Sequence, residues 1–465
     1  MKQTEPSLLQ RLAEYHKTAI PMHMPGHKRN TALLGNALPY AIDITEIDGF
    51  DNLHDMHGVL KTTADLAAAL YGSLAAFPLV GGSTCGILAS VHAMVPFGAR
   101  VLVARNCHRS VYHAIKLHGL RPSYICPDTD EFGICRGIAP EAVDHALSQE
   151  SDISLVIITS PTYEGVTSNL SQIAAVCHRH NALLLVDAAH GAHLGLFPSF
   201  GAGAVGSGAD VVVMSLHKTL PALTQTALLH ICSDRIDPLK IKESLSVFET
   251  SSPSYVLLSS IDACLRWVQQ NGSVYFSALR DNLSAFYYKT AGLSALSVLR
   301  YDDPSKIVVS TKHTARTGTD LANTLRKQFS IEVEMAAADY VLAMTSICDK
   351  KEHFESLALA LQQIDEETPR RMQDKKDKSI SFLPEIKEIP FEANQRTGTF
   401  VALTKAEGLE CLESVWAYPP GIPLIVPGEA VSGRLIAAME YLRNANVALN
   451  STKGQMPTHL WVRKP

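Results

Sequence analysis

A lysine and an aspartate, each placed just after a short apolar run, are the residues of this sequence best suited to chemistry. Lys218 stands in Ser215-Leu216-His217-Lys218-Thr219-Leu220, after apolar residues 211–214. Asp187 stands in Val186-Asp187-Ala188-Ala189-His190-Gly191-Ala192-His193, after apolar residues 182–186. Runs of this length predict buried strands, and open α/β sheets build their sites at the carboxyl ends of such strands. An amine there forms a Schiff base, and a nearby carboxylate keeps a pyridine nitrogen protonated. That is what a pyridoxal phosphate (PLP) ring needs to act as an electron sink. Taken singly, a lysine after a strand is normally a surface residue and an aspartate a cap or turn residue. It is the pair, with the segments that follow, that points to a site.

Gly81-Gly82-Ser83-Thr84-Cys85-Gly86 follows a hydrophobic run and opens a predicted helix. Its glycines let the backbone approach an anion, the helix start offers unpaired N–H groups, and Ser83 and Thr84 add hydroxyl donors. This is a phosphate cradle, although Gly-Gly-Ser-Thr also makes ordinary turns and caps. Arg105-Asn106-Cys107-His108-Arg109-Ser110 follows a predicted strand, and a histidine there stacks on a flat cofactor or moves protons. Ser160-Pro161-Thr162-Tyr163-Glu164-Gly165 follows another, making four strand ends on one rim. Residues 201–206, Gly-Ala-Gly-Ala-Val-Gly, match the dinucleotide fingerprint in form only: they precede a strand instead of following one. His190, His193, Cys177, His178 and His180 are completed by neither a Cys-x-x-Cys pair nor a His-Glu-x-x-His run, so no metal site is predicted.

The elements that must position these residues alternate. Strands are predicted at 99–104, 154–159, 182–186 and 210–214, and helices at 84–95, 110–117 and 254–269, which implies an α/β fold with a mainly parallel sheet and crossover helices. A helix over 7–19 has Leu8, Leu9, Leu12 and Tyr15 on one side. It opens an N-terminal arm, 1–63, ahead of a large domain, 64–295. After 296 the texture changes to strands at 306–309, 331–335 and 340–346 with a helix at 318–328, a smaller C-terminal α+β domain, 296–465. The charge-dense residues 365–378 read as a solvated loop.

With 465 residues, two domains are expected. A charged fraction of 19% with 46% hydrophobic residues excludes disorder, and a net charge of −5 gives no basic stripe for nucleic acid. Nine scattered cysteines, an odd count, suit reduced thiols. No signal-peptide core stands at the N-terminus and no run reaches the roughly 20 apolar residues of a membrane helix. A cytoplasmic protein without membrane partners is expected.

Together these segments resemble the Orn/Lys/Arg decarboxylases, short form, of the aspartate-aminotransferase fold (PLP fold type I). The resemblance runs from about residue 20 to 445. It includes Met24-Pro25-Gly26-His27-Lys28, Asp51-Asn52-Leu53-His54, the glycine cradle, the His108 and Pro161-Thr162-Tyr163 segments, the Asp187 and Lys218 runs, and Ser252-Pro253-Ser254-Tyr255. It closes with Tyr418-Pro419-Pro420-Gly421-Ile422-Pro423 and Pro427-Gly428-Glu429. Larger bacterial members carry an N-terminal receiver-like wing domain that is not part of this match. The chain departs from the family's common pattern at Glu164, Ala188 and Cys85.

The resemblance implies a PLP-dependent α-decarboxylase of a basic amino acid, arginine ahead of lysine or ornithine, giving agmatine or a diamine for polyamine metabolism. It implies that Lys218 carries the cofactor, Asp187 pairs with the pyridine nitrogen and His108 stacks on the ring. Ser83, Thr84, Ser215 and His217 lie on the phosphate side, and His190 near the phenolic oxygen. Lys218 or His217 protonates Cα. Ser251 reaches the phosphate of a partner subunit, so a homodimer or higher homo-oligomer with interface sites is expected. Glu429, with Glu164 as the competing residue, is expected to meet the distal cation, which is costly to bury unpaired. His217-Lys218-Thr219-Leu220 and Asp187-x-Ala189-His190 also resemble serine hydroxymethyltransferase. That reaction, an aminotransferase reaction and a catalytically silent regulatory homologue are the alternatives. The Met-Pro-Gly-His-Lys and Tyr-Pro-Pro-Gly-Ile-Pro segments argue against the hydroxymethyltransferase, and intact Lys218 and Asp187 against the silent homologue.

Overall fold

The computed structural model describes residues 6–371, 385–419, 421–456 and 458–464. The first five residues, Pro420 and all of the charged run after residue 371 lie outside the described residues. The chain divides into two compact units, one of residues 1–94 and 185–276, the other of 95–184 and 277–465.

The apolar runs become the strands of the large sheet: β1 (Ala75–Leu79), β2 (Arg100–Ala104), β3 (Arg121–Ile125), β4 (Ile153–Thr159), β5 (Leu183–Asp187), β6 (Val211–Ser215) and β7 (Ala227–Ile231). Their order is β1-β7-β6-β5-β4-β2-β3. β5 runs parallel to β6, and β2 parallel to both β3 and β4. β7 is antiparallel to β1 and β6. The fold is thus α/β with a large, mainly parallel sheet. β6 and β7 are buried at every position, the mark of strands covered on both faces.

In the first unit the helix Gly82–Met94 follows β1, and a long helix, Tyr255–Thr290, begins there. The N-terminal helix Leu8–Thr18 starts with a capping box between Ser7 and Gln10. Leu8, Leu12 and Tyr15 join Phe50, Leu60, Val80 and Tyr255 in one apolar cluster. Leu9, predicted on the same side, is exposed: at one residue from Leu8 it is turned by about 100° along a 3.6-residue helix. Asp262, fully buried, fastens this arm by accepting from the Leu8 N–H (3.0 Å) and the Thr63 hydroxyl (3.0 Å).

In the second unit smaller antiparallel sheets accompany β2, β3 and β4. One has four strands, in the order Met335–Ala336, Tyr340–Met344, Lys306–Ser310, Ser297–Leu299. The predicted strand at 331–335 is reduced to its end, because the helix Gly318–Phe329 is closed by Ser330 in the left-handed region and the Ile331 N–H turns back to Leu325. Asp365 is not in a solvated loop. It lies in the helix Lys351–Glu366, buried, where it accepts from the N–H groups of Ser294, Ala295 and Leu296.

Candidate active site

In the first unit, parallel β5 and β6 end side by side, with Asp187 opposite Val213 in register. Asp187 is the last residue of β5, and Lys218 lies in the one-turn helix Leu216–Thr219 directly after β6. The strand ends therefore bring the acid and the amine into one electrostatic neighbourhood. Asp187 is 3% exposed, and burial raises its carboxyl above the ordinary range. The Lys218 charge and the Ala189 N–H (3.1 Å to Oδ1) oppose that rise. Lys218 Nζ stands 3.0 Å from His190 Nε2.

His217 Nδ1 lies 2.9 Å from the Thr226 carbonyl. A carbonyl only accepts, so Nδ1 carries the proton and the neutral ring keeps its lone pair on Nε2. Burial, and then the neighbouring Lys218 charge, lower the pKa of His217, with the Thr226 hydrogen bond opposing.

Ser83 and Thr84 open the helix Gly82–Met94, whose first-turn N–H groups have no intrahelical acceptor. The Ser215 hydroxyl, at the end of β6, reaches Ser83 Oγ at 3.1 Å. Hydroxyls from two elements thus meet at a helix start, a donor set suited to phosphate. Glu249 completes the surroundings: its Oε1 accepts from the Gly81 N–H at 2.9 Å and holds the turn before the helix. Sequence reasoning missed Glu249, which is separated from Gly81 by 168 positions with no local signal. Ser251 is exposed in a bend two residues further on.

His108, Glu164 and Glu429 belong to the second unit. His108 caps the helix Arg109–Leu117, with Nδ1 2.9 Å from the Ser110 hydroxyl. Glu164 is buried, and its Oε1 accepts from the Tyr340 hydroxyl at 2.7 Å. Burial raises its carboxyl, with Tyr340 opposing. It lines a cavity of about 140 Å³ whose walls are largely apolar, among them Met335, Leu424, Leu442 and Val447, with Asn106 and Arg105. Glu429 does not line it. Its Oε2 pairs with Arg105 Nη2 at 3.1 Å and accepts from the Val426 N–H at 2.9 Å. Arg105, the other residue sequence reasoning passed over, is thus central to the second unit.

Among the described residues no three or more His, Cys, Asp and Glu side chains converge to hold a metal ion. No described helix is long and apolar enough to cross a membrane.

Residues 6–277 match the family model of the Orn/Lys/Arg decarboxylase major domain, and residues 373–457 that of its C-terminal domain. The chain is similar to an arginine decarboxylase of Halalkalibacterium halodurans, 31% identical over 451 residues that cover 92% of this chain and 91% of that protein. An arginine decarboxylase of Bacillus anthracis is 31% identical over 470 residues, covering 95% and 93%. Among solved structures, the lysine decarboxylase LdcF of Francisella novicida superposes with a TM-score of 0.84, covering 99% of this chain and 81% of that one. Its sequence identity is 18%, so this likeness speaks to the fold.

Proposed function

The chain belongs to the Orn/Lys/Arg decarboxylase family, and on that premise we propose that it decarboxylates arginine ahead of lysine or ornithine, giving agmatine or a diamine for polyamine metabolism. As a family member it is a PLP-dependent amino-acid decarboxylase acting on a basic amino acid. The observation that best supports the proposed site is the grouping of Lys218, His190 and buried Asp187 at two adjacent strand ends.

The residues of the first unit fit the cofactor in three respects. Ser83, Thr84 and Ser215 with a helix start suit a phosphate, a buried acid suits a pyridine nitrogen, and a half-buried amine suits an aldehyde. PLP, when bound, supplies a cationic ring that takes up the electron pair left as carbon dioxide departs. Asp187 maintains the charge that makes this possible, in surroundings where burial strengthens its effect. His190 orients the Lys218 amine. His217, neutral with its proton on the Thr226 side, has no proton to give at Nε2. Lys218 is therefore the proposed proton donor to Cα, and His217 a phosphate-side residue. His108 keeps its proposed role against the ring.

Of the two acids that compete for the substrate's distal cation, Glu164 has the better support. It lines an apolar-walled cavity suited to a methylene chain, while Glu429 is engaged by Arg105. A charge-assisted hydrogen bond contributes roughly 1.5–3 kcal/mol, so Glu164→Gln is expected to raise KM about 10- to 100-fold. Only ionised Glu164 attracts a cation. Because burial raises its carboxyl, wild-type KM should climb as pH falls through that raised value, and the Gln variant should lack this limb. Carbon dioxide release measured over a panel of amino acids, with wild type and E164Q, tests both proposals. Release from no basic amino acid sinks the decarboxylase reading, and an unchanged KM in E164Q sinks the recognition role.

We also propose a homodimer in which Ser251 serves the partner's phosphate site. K218A chains mixed with chains disrupted at Ser251, each inactive alone, should then recover activity as heterodimers. A fully active monomer at high dilution would contradict this.

A further inference from the structure

We infer that the buried pair Arg105–Glu429 is a positioning device, which sets the His108 ring by holding in place the 421–429 segment, whose middle is the strand Pro423–Ile425. The inference rests on the PLP reading above and assigns roles that reading leaves open.

Arg105 directly follows β2 and is 7% exposed. Its Nη1 donates to the Tyr112 hydroxyl at 2.9 Å and to the Pro423 carbonyl at 2.7 Å. Its Nη2 donates to the Leu424 carbonyl at 3.2 Å and to Glu429 Oε2 at 3.1 Å. The guanidinium also stands over the rings of Tyr112 (5.2 Å) and Tyr124 (5.5 Å). One side chain thus fastens three points of a segment more than 300 positions away. Glu429 is 1% exposed and closes the turn by accepting from Val426.

The other end of the same segment lies against His108. The Arg109 N–H donates to the Gly421 carbonyl at 3.3 Å, and the Arg109 guanidinium stands over Trp416 at 5.1 Å. Gly421 has φ +84°, and a Cβ there would sit 3.4 Å from both Cδ2 and Nε2 of His108. The ring is therefore set on its Nδ1 side by Ser110 and bounded on its Cδ2–Nε2 edge by the backbone of Gly421. Removing the Glu429 charge leaves a buried guanidinium without its counter-charge, a strongly destabilising change. The strand Pro423–Ile425 stays paired to Val415–Ala417, so the segment shifts without being released, and with it the edge that bounds His108.

The test uses the holoenzyme. Glu429→Gln should lower kcat by about 100-fold, the loss expected from misplacement of about 1 Å. The loss should be similar for every amino acid tested, cationic or neutral. PLP is achiral, so circular dichroism in its visible band reports the asymmetry imposed by its neighbours, and this band should weaken in E429Q. In a His108→Ala background, E429Q should change cofactor affinity and dichroism by no more than about twofold, because the group it acts through is gone. Where E429Q fails to fold, Gly421→Ala disturbs the same edge of His108 without touching the ion pair, and it should reproduce the dichroism change. A KM increase confined to cationic substrates with the dichroism intact would make Glu429 a recognition residue and overturn the inference. So would a loss of equal size in the His108→Ala background, or an unaltered spectrum in G421A. A wild-type protein that binds no PLP would instead refute the PLP reading itself.

Discussion

Lys218→Ala is expected to release no carbon dioxide above background and to hold no cofactor after borohydride reduction. The amine stands in the turn after β6, half-buried, 3.0 Å from His190 and close enough to Asp187 to oppose the rise of its carboxyl. No other lysine lies in the 182–219 stretch that supplies these two strand ends. The substitution removes a partly exposed side chain from a one-turn helix, so the fold should survive and phosphate affinity should remain. PLP would then bind reversibly and wash away on dialysis. Mass spectrometry of the reduced protein checks this directly. If the K218A chain still carries a covalent cofactor adduct, another lysine holds it and the assignment fails.

Much of this site is legible in the sequence because strand-end chemistry is local. The apolar stretches before Asp187 and Lys218 were bounded within one residue of β5 and β6, since strands buried on both faces need continuous apolar residues. The same logic fails where burial is uneven, as in β3, or where a polar residue is buried within the strand, as in β7. β3 holds Arg121, Pro122 and Ser123, and its first residue is exposed, so it shows no apolar run. β7 includes His230, which is fully buried with a pKa pushed down to about 3 by desolvation and with Nδ1 beside the Ser73 hydroxyl. The helix predicted at 254–269 continues to Thr290. Within the added length stands Gly272, where the Phe197 ring packs at the place a Cβ would take, 2.4 Å away. This glycine serves a close approach and not a chain reversal. Glu249 beneath the glycine cradle and Glu429 on Arg105 lay beyond reach for a different reason. Their partners are 168 and 324 positions away, and nothing in either local sequence marks a buried pairing.

Asp187→Asn should leave the cofactor bound and still remove most of the rate. The amide keeps an oxygen for the Ala189 N–H, so the local geometry is preserved and only the charge is lost. Two opposite unit charges at about 4 Å attract by about 4 kcal/mol at an effective dielectric constant of about 20. Losing it predicts a fall in kcat of roughly 10³-fold, with cofactor content per chain, read by absorbance, near that of the wild type. Stability in the absence of cofactor should move the other way. The folded protein holds the Asp187 proton more tightly than the unfolded chain does, because burial raises the carboxyl. The wild type therefore loses stability as pH rises from the unfolded carboxyl's pKa through the raised folded one. The Asn variant has no such ionisation, and at neutral pH the apo D187N protein should melt at a higher temperature than apo wild type. Its advantage should vanish below the ordinary carboxylate range. Near-normal turnover in D187N would show that the charge is not needed for catalysis, and a lower apo melting temperature at neutral pH would show that burial does not dominate the environment of Asp187.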